Sequence, residues 1–139
     1  MAEQVCVDAS FVLAELLQAA HEPEAEVFWR RWVDGDISLV APPLFFAEVT
    51  SVLRGKVFHG QIGAAEGERV FSVFLRLQVD SVNPVDLQER AWALAKKYNR
   101  PKAYDAQYLA VAEMLGCDLW TADQRLANAV REKWVRLAR

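Results

Sequence analysis

Four acidic side chains stand where a mixed α/β chain can bring them to one place. Asp8 closes the apolar run Val5-Cys6-Val7. Glu48 interrupts a helical face otherwise shaped by Leu44, Phe45 and Val52. Asp105 falls in the first turn of an amphipathic stretch that begins near Ala103, and Asp123 follows the short run Asp118-Leu119-Trp120-Thr121-Ala122. Carboxylates held together repel, so four of them in one pocket make sense mainly around a divalent cation. A cation in an acidic, water-accessible pocket can activate a water against a phosphodiester.

Each acid also has a plainer explanation. Asp8 and Asp123 are of a type favoured at helix N-termini, where a carboxylate accepts backbone N–H groups. Ser10 offers an alternative cap for the helix after Asp8, which releases Asp8 for chemistry. For Glu48 the plainer reading is an ion pair with Arg54 or Lys56, but those residues lie towards the other end of the helix. A carboxylate leaving a core-facing stripe without a partner costs several kcal/mol, so it must be paired, protonated or bound to a cation. Asp105 gains from the helix dipole, which suffices for an exposed aspartate and explains less on an inward face shared with Leu109 and Ala112.

The elements that must position these acids alternate. Residues 4–8 read as a buried strand, followed by a helix to about residue 20 that starts with Ser10 as cap. His21-Glu22-Pro23 breaks it, and a second helix is expected over 23–33 with Val27, Phe28 and Trp32 on one side. A strand over 37–40 leads to Pro42-Pro43, which opens a helix over 43–58. Further helices are expected over 64–77, 86–98, 103–115 and 123–133, and strands over 79–82 and 119–121, with an edge strand over 134–137. Short apolar strands alternating with helices indicate a parallel sheet covered on both faces. Ligands of such sheets bind beyond the carboxyl ends of the strands, where Asp8 and Asp123 fall.

The 139 residues fit one domain, 1–139, with enough apolar content for a sizeable core. The start of the chain lacks a basic region followed by an apolar block, and no run approaches the ~18 apolar residues of a membrane span. Cys6 and Cys117 lie in or beside expected strands and read as reduced core residues, which favours a cytoplasmic location. The net charge of −3 argues against a general nucleic-acid binder without excluding local basic patches. Such a patch precedes Asp105 in Lys96, Lys97, Arg100 and Lys102, and Arg125 follows Asp123. These cations can position a phosphate backbone, or simply solvate helix ends. Tyr104 can stack on a base, although its spacing with Tyr108 favours the core. His21 and His59 lack the spacing of zinc ligands.

Four segments carry a resemblance: Val7-Asp8-Ala9-Ser10, Pro43-Leu44-Phe45-Phe46-Ala47-Glu48-Val49, Tyr104 to Glu113, and Thr121-Ala122-Asp123-Gln124-Arg125-Leu126. In order and spacing they resemble the PIN-domain nucleases, and among them the short VapC-like ribonuclease toxins. The resemblance covers nearly the whole chain. It implies a PIN-like three-layer α/β sandwich, with about five parallel strands and helices on both faces. It also implies Asp8, Glu48, Asp105 and Asp123 as catalytic and metal-site residues, with Ser10 and Thr121 as secondary polar members. The approach Arg100-Pro101-Lys102-Ala103-Tyr104 is more basic than the small-residue lead-in of the family.

The implied function is a Mg²⁺- or Mn²⁺-dependent endoribonuclease acting as the toxin of a toxin–antitoxin pair, leaving a 5′-phosphate and a 3′-hydroxyl. Arg100, Lys102 and Arg125 are the candidates for RNA contact. The implied partners are RNA, a cognate antitoxin whose helical tail occupies a groove on the first helices, and a second copy of the chain. Trp29 and Trp32, beside Arg30 and Arg31, are the aromatic residues most in excess of what a core needs. A competing reading is a PIN-like or receiver-like module that acts through protein partners without catalysis. An aspartyl-phosphate phosphohydrolase needs a second Asp two residues after the first, where this chain has Ser10.

Overall fold

The computed structural model describes residues 3–21, 30, 34 and 36–138. Five strands form one parallel sheet: β1 (Glu3–Val7), β2 (Ile37–Ala41), β3 (Val79–Ser81), β4 (Asp118–Thr121) and β5 (Val135–Leu137). The helices among the described residues are α1 (Ala9–His21), α2 (Leu44–Phe58), α3 (Ala64–Arg76), α4 (Leu87–Lys97), α5 (Tyr104–Leu115) and α6 (Gln124–Val130). The expected helix over 23–33, Trp29 and Trp32 included, lies outside the described residues except for Arg30.

The strand order is β3-β2-β1-β4-β5. The chain winds outwards from β1 through β2 to β3, then crosses back to lay β4 on the other flank of β1. The crevice between β1 and β4 is therefore the point where winding reverses, the place where open parallel sheets bind ligands. Val5, Cys6 and Val7 are buried in succession, as are Leu39, Val40 and Ala41. Neighbouring side chains of a strand point to opposite faces, so consecutive burial means that both faces of the sheet are covered. One cover is α1 packed with α2 and α3; α4 packs on α5, which lies against β1 and β4. The three-layer sandwich implied by the resemblance is the fold observed.

Local chemistry sets the boundaries. Pro43 stands at the N-cap of α2 with φ −54°, as its fixed φ allows. Gly116 ends α5 in the left-handed conformation, φ 66°, which costs a glycine little. The last helix is shorter than the expected 123–133. It stops at Val130 because Arg131 itself turns left-handed, φ 54°, and no glycine marks that stop. Arg131 Nε then donates to the carbonyl of Asn128 at 3.0 Å.

Candidate functional site

Val7 on β1 lies opposite Trp120 on β4, so the next residues along each strand, Asp8 and Thr121, meet at the carboxyl end of the crevice. The Thr121 hydroxyl donates to Oδ2 of Asp8. Oδ1 accepts the Ser10 hydroxyl at 2.7 Å and the Phe11 N–H at 2.9 Å. Phe11 is the third residue of α1, so Asp8 itself caps that helix. The expectation that Ser10 supplies the cap is thereby corrected: Ser10 lies inside the helix and turns its hydroxyl back to Asp8.

The two hydroxyls also fasten the strand ends together. Ser10 Oγ accepts the Ala122 N–H at 3.0 Å, and Thr121 Oγ1 accepts the Asp123 N–H at 3.0 Å. Ser10 and Thr121 were expected as secondary polar members, and each touches both Asp8 and the segment that carries Asp123.

Asp8 is 6% exposed. Its pKa is raised to about 6: burial pushes it up, the hydrogen bonds from Thr121, Ser10 and Phe11 hold the rise back, and the nearby Asp105 carboxylate adds to it. Asp105 comes from the first turn of α5 and is half-buried. Its Oδ2 lies 3.5 Å from Nη2 of Arg100, whose Nε is buried and has no hydrogen-bond partner among the described residues.

Glu48 reaches the site from α2, across the sheet from the crossover helix α5. Its Oε1 accepts the hydroxyl of Tyr108 at 2.5 Å, so its partner is this phenol and neither Arg54 nor Lys56. Burial, followed by the bond to Glu48 and the charges of Glu48 and Asp8, pushes the Tyr108 pKa far up. Tyr108 is a site residue that sequence reading assigned only to the core. Its position three residues after Asp105, on the same helical face, was the available signal.

Asp123 is the N-cap of α6: Oδ1 accepts the N–H groups of Arg125 and Leu126 at 2.9 and 3.2 Å. The plainer explanation of this acid is thus real, while Oδ2 takes no part in the cap. Arg125 and Lys102 are exposed, and Lys102 borders an open cleft with Arg100 and Trp92. Tyr104 is 59% exposed, which corrects its expected place in the core; Tyr108 alone turns inward.

The site thus joins Asp8, Ser10, Thr121 and the backbone of Asp123 directly, Asp105 to Asp8 through charge, and Glu48 to them through Tyr108. Among the described residues, no three His, Cys, Asp or Glu side chains close together as a metal-holding group. The donor set is nevertheless all oxygen, which suits a hard cation, and a cation relieves the repulsion between Asp8 and Asp105.

The PIN domain family model matches residues 5–132. A VapC ribonuclease of Mycobacterium bovis, Mb0985, is 36% identical over 124 residues, 89% of each chain. Ribonuclease VapC9 of Mycobacterium tuberculosis matches to the same extent. The chain belongs to the PIN-domain family, in its VapC-like branch. Solved structures agree on the PIN fold. PAE2754 from Pyrobaculum aerophilum superposes with a TM-score of 0.65 at 24% identity, over 93% of this chain and 87% of that one. VapC20 of Mycobacterium tuberculosis, a toxin that cleaves the sarcin-ricin loop, gives 0.58 at 20% identity, over 95% and 98%. A toxin–antitoxin complex from Klebsiella pneumoniae gives 0.56 at 17% identity, over 96% and 99%. In this PIN protein Asp8 follows β1 and Asp123 follows β4 at their carboxyl ends, while Glu48 and Asp105 come from α2 and α5.

Proposed function

We propose that this VapC-like protein is a divalent-cation-dependent endoribonuclease, the toxin of a toxin–antitoxin pair, working as one PIN unit over residues 1–139. The observation that carries the reading is the buried Asp8 at the reversal crevice, charge-coupled to Asp105. The VapC ribonucleases it resembles support RNA as the substrate class.

Asp8, Glu48, Asp105 and Asp123 are the residues we assign to Mg²⁺ or Mn²⁺. When bound, such a cation would neutralise the carboxylates, hold a phosphate oxygen and acidify a water for in-line attack. The chain supplies the rest. Ser10 and Thr121 hold Asp8 in one rotamer, and Tyr108 does the same for Glu48. Asp105 is the carboxylate we assign the water's proton, because it is half-buried while Asp8 is closed in by three hydrogen bonds. Arg100, Lys102 and Arg125 would meet the RNA backbone. The long contact from Arg100 to Asp105 leaves that guanidinium with donors for a phosphate.

An antitoxin and a second copy of the chain are the protein partners in this reading. Exposed Phe58 and Leu75 support it, as does an open cleft of about 360 Å³ lined by Leu53, Val57 and Phe71 of α2 and α3. A cytoplasmic location accords with the free thiols of Cys6 and Cys117. No described helix is long and apolar enough to cross a membrane.

The second reading is a PIN module that acts through partners without cutting. One observation favours it: no described trio of acids closes as a metal-holding group. Incubating the purified protein with a defined RNA pool and Mn²⁺, with and without chelator, separates the two. The nuclease reading expects chelator-sensitive cuts bearing 5′-phosphate and 3′-hydroxyl ends, lost in Asp8→Asn and Asp105→Asn. Cuts that persist in both variants, or no cuts at all, overturn it.

A further inference from the structure

Beside Asp105, but outside the acid cluster, an open cleft of about 320 Å³ is lined by Pro43, Leu44, Asn83, Gln88, Tyr104 and Gln107. Its chemistry differs from everything around it. None of the six residues carries a formal charge, although acids and cations flank the cleft on α5 and its approach. Tyr104 stands 59% exposed one residue before Asp105, offering a ring with nothing to bury it. A phosphate would look for cations here and find none; a neutral planar group finds an aromatic face, a Pro-Leu wall and amides.

The amides are preset. Gln88 Nε2 donates to Gln107 Oε1 at 3.1 Å, and Gln107 Nε2 donates back to Gln88 Oε1 at 2.7 Å. This reciprocal pair orients the two amides against each other. It uses one N–H and one lone pair of each group, so each keeps another N–H and another lone pair. Adjacent donor and acceptor positions are what the edge of a nucleobase requires, and glutamine and asparagine amides read such edges in paired fashion. Asn83, beyond the end of β3, adds a third amide to the same cleft.

We propose that this cleft is a base-recognition subsite: Tyr104 stacks on one unpaired nucleobase next to the scissile phosphate, and the Gln88–Gln107 pair with Asn83 reads its edge. The proposal rests on the ribonuclease reading, which supplies the RNA. It commits the site to single-stranded or looped RNA, because a base inside a duplex cannot reach an aromatic side chain and expose its edge at once.

The test uses the full chain in two arms. Binding is read by fluorescence anisotropy with labelled homopolymeric oligoribonucleotides of each base, in Ca²⁺. Cleavage of a mixed RNA pool is mapped in Mn²⁺. Tyr104→Ala is expected to weaken binding of the preferred base roughly tenfold, the scale of one lost base–aromatic stack, and Tyr104→Phe to recover most of that loss. Gln107→Ala should flatten the preference among the four bases at one position beside the cut. Both residues are at least partly exposed, so the variants should melt close to the wild type. Unchanged affinity and unchanged base preference in Tyr104→Ala and Gln107→Ala overturn the subsite, even when the wild type cuts RNA. So does a wild type that binds none of the oligonucleotides. A wild type that binds through Tyr104 but never cuts overturns the nuclease reading and leaves the subsite standing.

Discussion

The hydroxyl of Tyr108 on α5 donates to Oε1 of Glu48 on α2 at 2.5 Å, across a separation of 60 positions. Tyr108 is 2% exposed, so the bond anchors a half-buried carboxylate to the core. Tyr108→Phe keeps the ring and deletes the bond. We expect a loss of about 1.5–3 kcal/mol, the range for a hydrogen bond to a charged group, measured by urea unfolding. Glu48 should then move more freely, and Mn²⁺ should bind more weakly by titration calorimetry.

The elevated pKa of Asp8 makes a signed prediction. Its value rises from 3.8 to about 6 on folding. Below 3.8 both folded and unfolded chains hold the proton, and Asp8 adds no pH dependence. Between there and about 6 the folded chain keeps a proton that the unfolded chain has lost, so stability falls as pH rises. Above about 6 the full penalty, about 3 kcal/mol, is present. Asp8→Asn lacks this penalty. The stability of Asp8→Asn relative to the wild type should therefore climb across that window, as followed by unfolding at a series of pH values. A flat difference would contradict the burial argument.

Asp105 contributes to the same penalty through its charge. Asp105→Asn should lower the Asp8 pKa, raise the melting temperature of the metal-free protein, and remove most of the stabilisation given by Mn²⁺. It should also abolish cleavage. Scanning calorimetry with and without Mn²⁺ reads the first effects independently of any RNA assay.

Thr121→Val tests the fastening of the two strand ends. The Thr121 hydroxyl donates to Asp8 and accepts the Asp123 N–H, and Thr121 is fully buried. Valine leaves both groups short of a partner, at a cost of about 1–3 kcal/mol. Because the Thr121 bond lowers the Asp8 pKa, its loss should move the titration of Asp8 upwards, visible by carboxyl-carbon NMR.

Gly67 tests how closely α3 approaches α2. A Cβ built there would meet Val57 Cγ2 at 2.4 Å, and Val57, being β-branched, has few rotamers to retreat into. Gly67→Ala should cost about 1–3 kcal/mol through overpacking, against the usual gain from alanine in a helix. Val57→Ala in the same chain should recover part of it.

Much of this architecture was legible because apolar runs and breakers speak locally. Val5-Cys6-Val7, Pro42-Pro43 and Gly116 each announced a strand, a helix start or a helix stop. Arg131 did not, since a left-handed arginine carries no such mark. The same limit hid the partners of side chains. Tyr104 and Tyr108 share a helix and a residue type, yet one faces solvent and one the core; only the packing of α5 on the sheet separates them. Sequence placed Asp8 and Asp123 at strand ends, but could not show that Asp123 spends one oxygen on its own helix. Nor could it show that the Glu48 partner would be a phenol.

The strand order also sets when these residues can first meet. Residues 8 and 48 emerge from the ribosome early, whereas the edge of β1 that completes the crevice stays bare until residues 118–121 dock beside it. A chain still being translated, or cut short before that point, has no second wall for the pocket. If the folded protein destroys RNA, its own synthesis is sheltered at least until residues 118–121 have been translated.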